Sequence, residues 1–281
     1  MKLCFSTLGC FDKSLEEILV LSKKYNIPAI EVRGINGILQ NDLIDVFSEK
    51  KIEQTKRLFD RYQTVPLVLG TSCRFHQAEQ FDKAIEEGLS SIRIAEAVGF
   101  QSIRVFGDRI LSDGEACIQR VIDGLTTLCD RAKQVRILLE VHGDFNTIEA
   151  LSPVIDSMKS KNNFGLIWDI EHTHRNYGSD WITFYRLARP YIKHVHIKDY
   201  SNALDRLTLI GQGDVPILPI MDRLLQDGYD GYFSLEWERK WHPELPDIEV
   251  ALHSFLSLLK EAGRSISTAS KPFFTNGTSD V

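Results

Sequence analysis

Residues 164–176 read FGLIWDIEHTHRN. The first six are apolar or small and end on Asp169; from Ile170 the chain turns polar, with Glu171, His172 and His174 close behind. A run of that length and composition predicts a strand buried on both faces. The carboxylate at its end marks a strand exit that carries chemistry. Seven further runs of the same kind occur: KLCFST (2–7), AIEVRG (29–34), VPLVLG (65–70), SIRVFG (102–107), RILLEV (136–141), YIKHVHI (191–197) and GYFSLE (231–236). Each but the last is followed by enough chain for a crossover helix.

Eight such units at regular spacing, with no break in composition, predict an α/β fold, one (β/α)8 TIM barrel over residues 1–262. Residues 263–281 read as a Ser/Thr-rich, loosely ordered tail, in which the Asn276-Gly-Thr sequon is a chance match. The alternative, an open doubly wound sheet, usually places a Gly-rich phosphate turn after its first strand, and STLGCFDKS has no GxGxxG. Helix signals agree with the barrel. Ser14 and Glu17 form a capping box, and the last helix is expected from roughly Asp247 to Ala262. Ile118, Val121, Ile122, Leu125, Cys129 and Ala132 make one stripe at helical spacing, which puts Cys129 in the core rather than on display as a reactive thiol.

A net charge of −6 over 281 residues gives no support to a surface built for phosphate backbones or anionic lipid. Nucleic acid and membranes are therefore not expected partners. Five scattered cysteines without a CxxC pair read as reduced thiols. The start, MKLCFSTLGCFDKS, turns polar too soon for a signal peptide, and no apolar run approaches the roughly 20 residues of a membrane helix. The expectation is a soluble cytoplasmic protein. A homo-oligomer is compatible with this composition and not specified by it.

Charge inside a strand buried on both sides is costly, yet the last four strands carry it at their C-terminal ends. If Leu138, Ile167, His194 and Ser234 point inward, the side-chain period of two sends Glu140, Asp169, His196 and Glu236 inward as well. That end of a barrel is where active sites are built. Three carboxylates cannot share a dry pocket without a cation. Oxygen-rich ligation with one imidazole predicts one divalent metal ion, Mn²⁺ first, then Mg²⁺, Co²⁺ or Zn²⁺; no cysteine lies at these strand ends to make a structural zinc site. The bland reading, four acids and bases each capping a helix or pairing at the rim, has to hold four times over.

His172, three residues past Asp169, can lean over the metal or a substrate oxygen. Glu171 and His174 have no register argument, and a solvated or capping role is expected for both. Lys198 shares the inward register of His196 and could meet an oxyanion, or else stay in solvent paired with Asp199. His142 could donate to a substrate hydroxyl. Arg104, inside the fourth strand, either partners an acid of the site or faces a helix-side carboxylate. The glycines of IGQGDVP could expose N–H groups to a phosphate, but a tight turn requires the same glycines. Trp237 and Trp241 either wall a sugar ring or pack. Glu31 and Arg33 receive no role.

The motifs LLEVHG, WDIEHTH, HVHIKD, GQGDVPI and FSLEWE, in this order, resemble the xylose-isomerase-like barrels, specifically the sugar phosphate isomerase/epimerase group, over about residues 1–262. The resemblance implies that Glu140, Asp169, His196 and Glu236 bind one divalent metal, that Glu140 and Glu236 also shuttle the proton, and that His172 holds a substrate oxygen. It thus implies an isomerase or epimerase of a small sugar, keto-polyol or sugar phosphate, working through an enediolate beside a metal-bound carbonyl. Where the group's epimerases carry a further acid after the fifth-strand glutamate, EVHGDFN has Asp144 and Asn146. A dehydratase of a keto-inositol or dehydroshikimate-like substrate is the alternative on the same site. Two others are weaker. An endonuclease IV-type nuclease needs extra histidines, and this chain offers only His76 after the third strand and Pro216 where a second histidine belongs. A non-catalytic sugar-binding barrel has no need of two opposed carboxylates.

Overall fold

The computed structural model describes residues 1–265 of the chain. Eight parallel strands close into a barrel. They are β1 (Lys2–Ser6), β2 (Ala29–Val32), β3 (Val65–Arg74), β4 (Ser102–Phe106), β5 (Arg136–Glu140), β6 (Phe164–Asp169), β7 (Ile192–Ile197) and β10 (Tyr232–Leu235). β8 (Asp199–Ser201) and β9 (Arg206–Thr208) form a separate antiparallel hairpin directly after β7. The hairpin has no counterpart among the expected runs, since three residues are too few to show a period.

Helices α1 (Leu15–Lys24), α2 (Ile52–Tyr62), α3 (Phe81–Val98), α4 (Glu115–Arg131) and α5 (Ile148–Met158) each follow one strand. β6 is followed by two, α6 (Ile170–Tyr177) and α7 (Trp181–Ala188); α8 (Ile217–Gln226) and α9 (Ile248–Glu261) complete the ring. The Ser14 and Glu17 capping box starts α1, with the Ser14 amide donating to Glu17 Oε2 at 2.8 Å. In α4, Val121, Leu125 and Cys129 are buried, while Ile118, Ile122 and Ala132 pack at the edge of the core. The predicted tail lies, beyond Ser265, outside the described residues, and so does Asn276.

The core has two compartments that follow strand parity. Outward side chains such as Leu3, Phe5, Ile103, Val105, Leu139, Trp168 and Val195 join the helices in one large cluster. Inside the barrel, Cys4, Ala29, Val68, Leu138, Ile167 and Tyr232 form a smaller one. This interior plug fixes which residues come next along each strand toward the C-terminal mouth. Pairing then sets their height: Asp169 lies opposite His196, His196 opposite Ser234, and Phe106 opposite Glu140. β3 runs four residues past its expected end, with an irregular register against β4 between Gly70 and Arg74. No described helix is long and apolar enough to cross a membrane.

Candidate active site

The four expected metal-binding residues converge. Glu140, Asp169, His196 and Glu236 are all buried, and each offers a ligand atom within 4.8 Å of the others. His196 Nδ1 stands 3.2 Å from Glu236 Oε2, 3.6 Å from Glu140 Oε1 and 4.0 Å from Asp169 Oδ2. That nitrogen is buried without a hydrogen-bond partner of good geometry, as expected of a ligand atom facing a cation position. The other oxygen of Asp169 is already committed: Oδ1 caps α6 by accepting from the Glu171 and His172 amides at 3.0 and 3.3 Å. Only Oδ2 is directed into the mouth. Three buried carboxylates around one free imidazole nitrogen fit a divalent cation well.

The residue that orients this imidazole is Glu31. It is fully buried, and its Oε2 lies 2.9 Å from His196 Nε2 and 3.0 Å from His194 Nε2. Burial by itself would raise the Glu31 carboxyl, but the two imidazoles, His196 foremost, carry it down to about 2. A histidine that donates Nε2–H to a carboxylate presents Nδ1 as an acceptor, the arrangement that metal-bound histidines use. Parity would have found it: in AIEVR, Ala29 faces inward, so Glu31 and Arg33 do as well.

Arg104 partners an acid of the site. Its Nη1 donates to Glu140 Oε2 at 2.8 Å, its Nη2 to the Thr71 carbonyl oxygen at 3.1 Å, and its guanidinium lies 4.2 Å from the centre of the Phe106 ring. Burial would raise the Glu140 carboxyl; Arg104 overrides it and holds it below the usual range. Lys198 also points inward rather than into solvent. Its Nζ contacts Asp169 Oδ2 at 2.7 Å, Glu236 Oε2 at 2.9 Å and Glu238 Oε1 at 2.5 Å. Against the cost of burial, those carboxylates keep it an ammonium. Asp199, the alternative partner considered for it, instead accepts from the amides of Gly211 at 2.8 Å and Gly213 at 3.0 Å. The IGQGDVP glycines therefore serve this turn. A Cβ at Gly213 would fall 2.2 Å from Asp199 Oδ1.

Above the carboxylates, His172 and His142 meet edge to face with ring centres 4.5 Å apart. His172 Nε2 lies 3.8 Å from Asp169 Oδ2. Burial, then the Lys198 and His142 charges, push His172 down to about 3, so it is a neutral imidazole able to donate to or accept from a substrate oxygen. Of the solvated or capping role expected for Glu171, the solvated one is corrected: the residue is 2% exposed. It sits in the first turn of α6, where burial and then the Asp169 charge raise its carboxyl to about 7 despite Lys198. His174 is half-buried. Trp237 packs, donating to the Pro246 carbonyl oxygen at 2.8 Å, whereas Trp241 is exposed. Among the described residues His76 belongs to no group of three metal-competent side chains.

The fold agrees with what known proteins show. A family model described as xylose isomerase-like TIM barrel matches residues 21–259. The chain belongs to that family. It is similar to an inosose dehydratase of Lacticaseibacillus casei, 27% identical over 141 residues; the match spans 43% of this chain and 47% of the relative, about half its length. In fold it is similar to a probable 3-DHS dehydratase involved in petrobactin synthesis from Bacillus anthracis. That likeness has a TM-score of 0.75 and 17% identity, covering 92% of this chain and 99% of the other. An IOLI protein solved with a binding zinc atom gives a TM-score of 0.75 and 21% identity over 92% of this chain and 97% of its own.

Proposed function

We propose that this chain is a divalent-metal-dependent enzyme that removes a proton from the carbon beside the carbonyl of a small polyhydroxylated ketone, returning it as an isomerase or epimerase of sugars, keto-polyols or their phosphates. One observation carries the reading: Glu140, Asp169, His196 and Glu236 bring four buried ligand atoms within 4.8 Å of one another at the barrel mouth. That the similar IOLI protein was solved with a binding zinc atom supports a metal in a barrel of this kind. A divalent ion held there would polarise a substrate carbonyl and its neighbouring hydroxyl.

This chain's own residues supply the rest. Glu140 and Glu236 come from strands on different sides of His196, so a substrate carbon between them meets one carboxylate on each face. Arg104 holds Glu140 in place, and the neutral imidazole of His172, with His142 beside it, orients substrate oxygens from above. The described ring of helices and the apolar plug below keep the site at one end of the barrel.

A second reading, dehydration, is favoured by Lys198. An ammonium 2.9 Å from Glu236 and 2.7 Å from Asp169 is a proton donor beside the reacting carbon, positioned to protonate a departing β-hydroxyl. The similarity to an inosose dehydratase supports it. Incubation of the Mn²⁺-loaded chain in D₂O with ketoses, sugar phosphates, hydroxypyruvate and keto-inositol, followed by NMR, tests both. Deuterium at the carbon beside the carbonyl establishes proton abstraction, and loss of the neighbouring hydroxyl marks the dehydratase. No exchange in any compound, with metal bound, contradicts an enzyme of this class.

A further inference from the structure

Arg33 is 6% exposed, yet its hydrogen bonds go to neutral acceptors: Nη1 donates to the Leu39 carbonyl oxygen at 3.1 Å and Nη2 to the Ser72 hydroxyl at 2.9 Å. These two bonds use two of the five N–H groups of a guanidinium. No carboxylate lies within ion-pair distance of it among the described residues; Glu87 and Glu140 act on it only from farther away. Burial, and next the Arg104 guanidinium, push Arg33 down to about 10, which leaves it charged at neutral pH. Tying a loop to a strand requires donors; it does not require a buried charge without a counter-ion.

The fold makes room for this cation beside another one. A Cβ at Gly70 would fall 2.8 Å from Arg33 Cδ and 3.2 Å from Arg104 Nη2, so only a glycine lets the two arginines lie side by side against β3. Arg104 has its carboxylate in Glu140; Arg33 does not. Ser72, the acceptor of Arg33, also lines a cavity of about 640 Å³ together with Arg74, Lys83, Arg109 and His142. Arg74 is matched by Asp108 at 3.1 Å, and Glu87 is the other acid of the lining, so cations outnumber acids there. His142, at the edge of this lining, meets the ring of His172, whose Nε2 lies 3.8 Å from Asp169 Oδ2.

We propose that Arg33 and Ser72 form an oxyanion subsite at the β2–β3 edge of the mouth, so that the substrate carries a carboxylate or phosphate group besides the carbonyl that reacts. The proposal rests on the reading of the mouth as a metal-dependent active site and specifies the substrate class it takes. A bound oxyanion supplies the counter-charge that the protein leaves out, and a guanidinium fork suits both anions. Selectivity for acidic over neutral polyhydroxylated ketones follows.

The test is calorimetric titration of the full Mg²⁺-loaded chain with inorganic phosphate, D-glycerate and neutral glycerol, for the native chain, Arg33→Gln and Arg33→Lys. Arg33→Gln is expected to weaken binding of at least one anion ten-fold or more, with glycerol and Mg²⁺ binding unchanged; the anion that loses more identifies the group. Should Arg33→Gln fail to fold, Arg33→Lys carries the comparison, because it keeps the charge and loses the fork. Unchanged anion binding in the folded variant, with Mg²⁺ bound as before, overturns the subsite and leaves the metal reading intact. If the native chain binds no Mg²⁺, the metal reading falls, and the same comparison without Mg²⁺ still decides Arg33.

Discussion

Glu31 Oε2 lies 2.9 Å from His196 Nε2, across the interior of the barrel from β2 to β7. This hydrogen bond fixes which imidazole nitrogen faces the carboxylates, and a carboxylate partner makes the ring a better ligand. Glu31→Gln leaves the shape almost unchanged but lets the amide donate as well as accept, so His196 can turn its tautomer. Divalent metal affinity is expected to fall about 10- to 100-fold, with the far-ultraviolet circular dichroism unchanged. Equilibrium titration with Mn²⁺, read by the loss of its free-ion EPR signal, checks this.

Arg104 is 3% exposed and bonds Glu140 at 2.8 Å. Arg104→Met removes one partner of a buried pair and strands the other carboxylate. A loss of about 3–5 kcal/mol in unfolding free energy is expected from denaturant titration of the metal-free chain. Saturating Mn²⁺ should recover part of it, because the ion supplies the missing positive charge to the same carboxylate.

Glu236 offers both a ligand atom and a proton-transfer group. In Glu236→Gln the amide oxygen can still ligate but the group cannot carry a proton. Turnover should fall by about 10² or more, while Mn²⁺ affinity weakens only modestly. Comparable turnover in the variant would remove Glu236 from the proton path.

All five cysteines are buried. Burial pushes the Cys10 and Cys129 thiols up to about 12. A raised value keeps the thiol protonated through the alkaline range, and the thiolate is the reactive form. The folded chain at pH 8 should therefore be silent to a disulfide-exchange chromophore, with five equivalents released once guanidinium unfolds it.

Long-range periodicity carries most of what was legible beforehand. Eight runs of buried-strand length set the barrel, and parity from Leu138, Ile167, His194 and Ser234 led to the four residues that the structure brings together. The same parity applied to AIEVR reaches Glu31 and Arg33, but their partners, His196 and Ser72, are more than thirty residues away and a single sequence does not pair them. Glu171 was misjudged for a related reason. No register argument places it from the sequence, whereas in the fold Lys198, Arg175 and the Asp169 cap enclose it. The extension of β3 to Arg74 is set by tertiary pairing with β4, which local composition does not record, and the three-residue strands of the β8–β9 hairpin are too short to show a period.

The proposed chemistry requires a single divalent ion held by Glu140, Asp169, His196 and Glu236. Crystals grown with Mn²⁺ and measured at the manganese absorption edge test it directly. One anomalous peak is expected about 2.0–2.3 Å from a carboxylate oxygen of each acid and from His196 Nδ1. No peak in that cluster, or a peak instead in either neighbouring group able to ligate, Asp169 with Glu171 and His172 or Glu31 with His194 and His196, would contradict it.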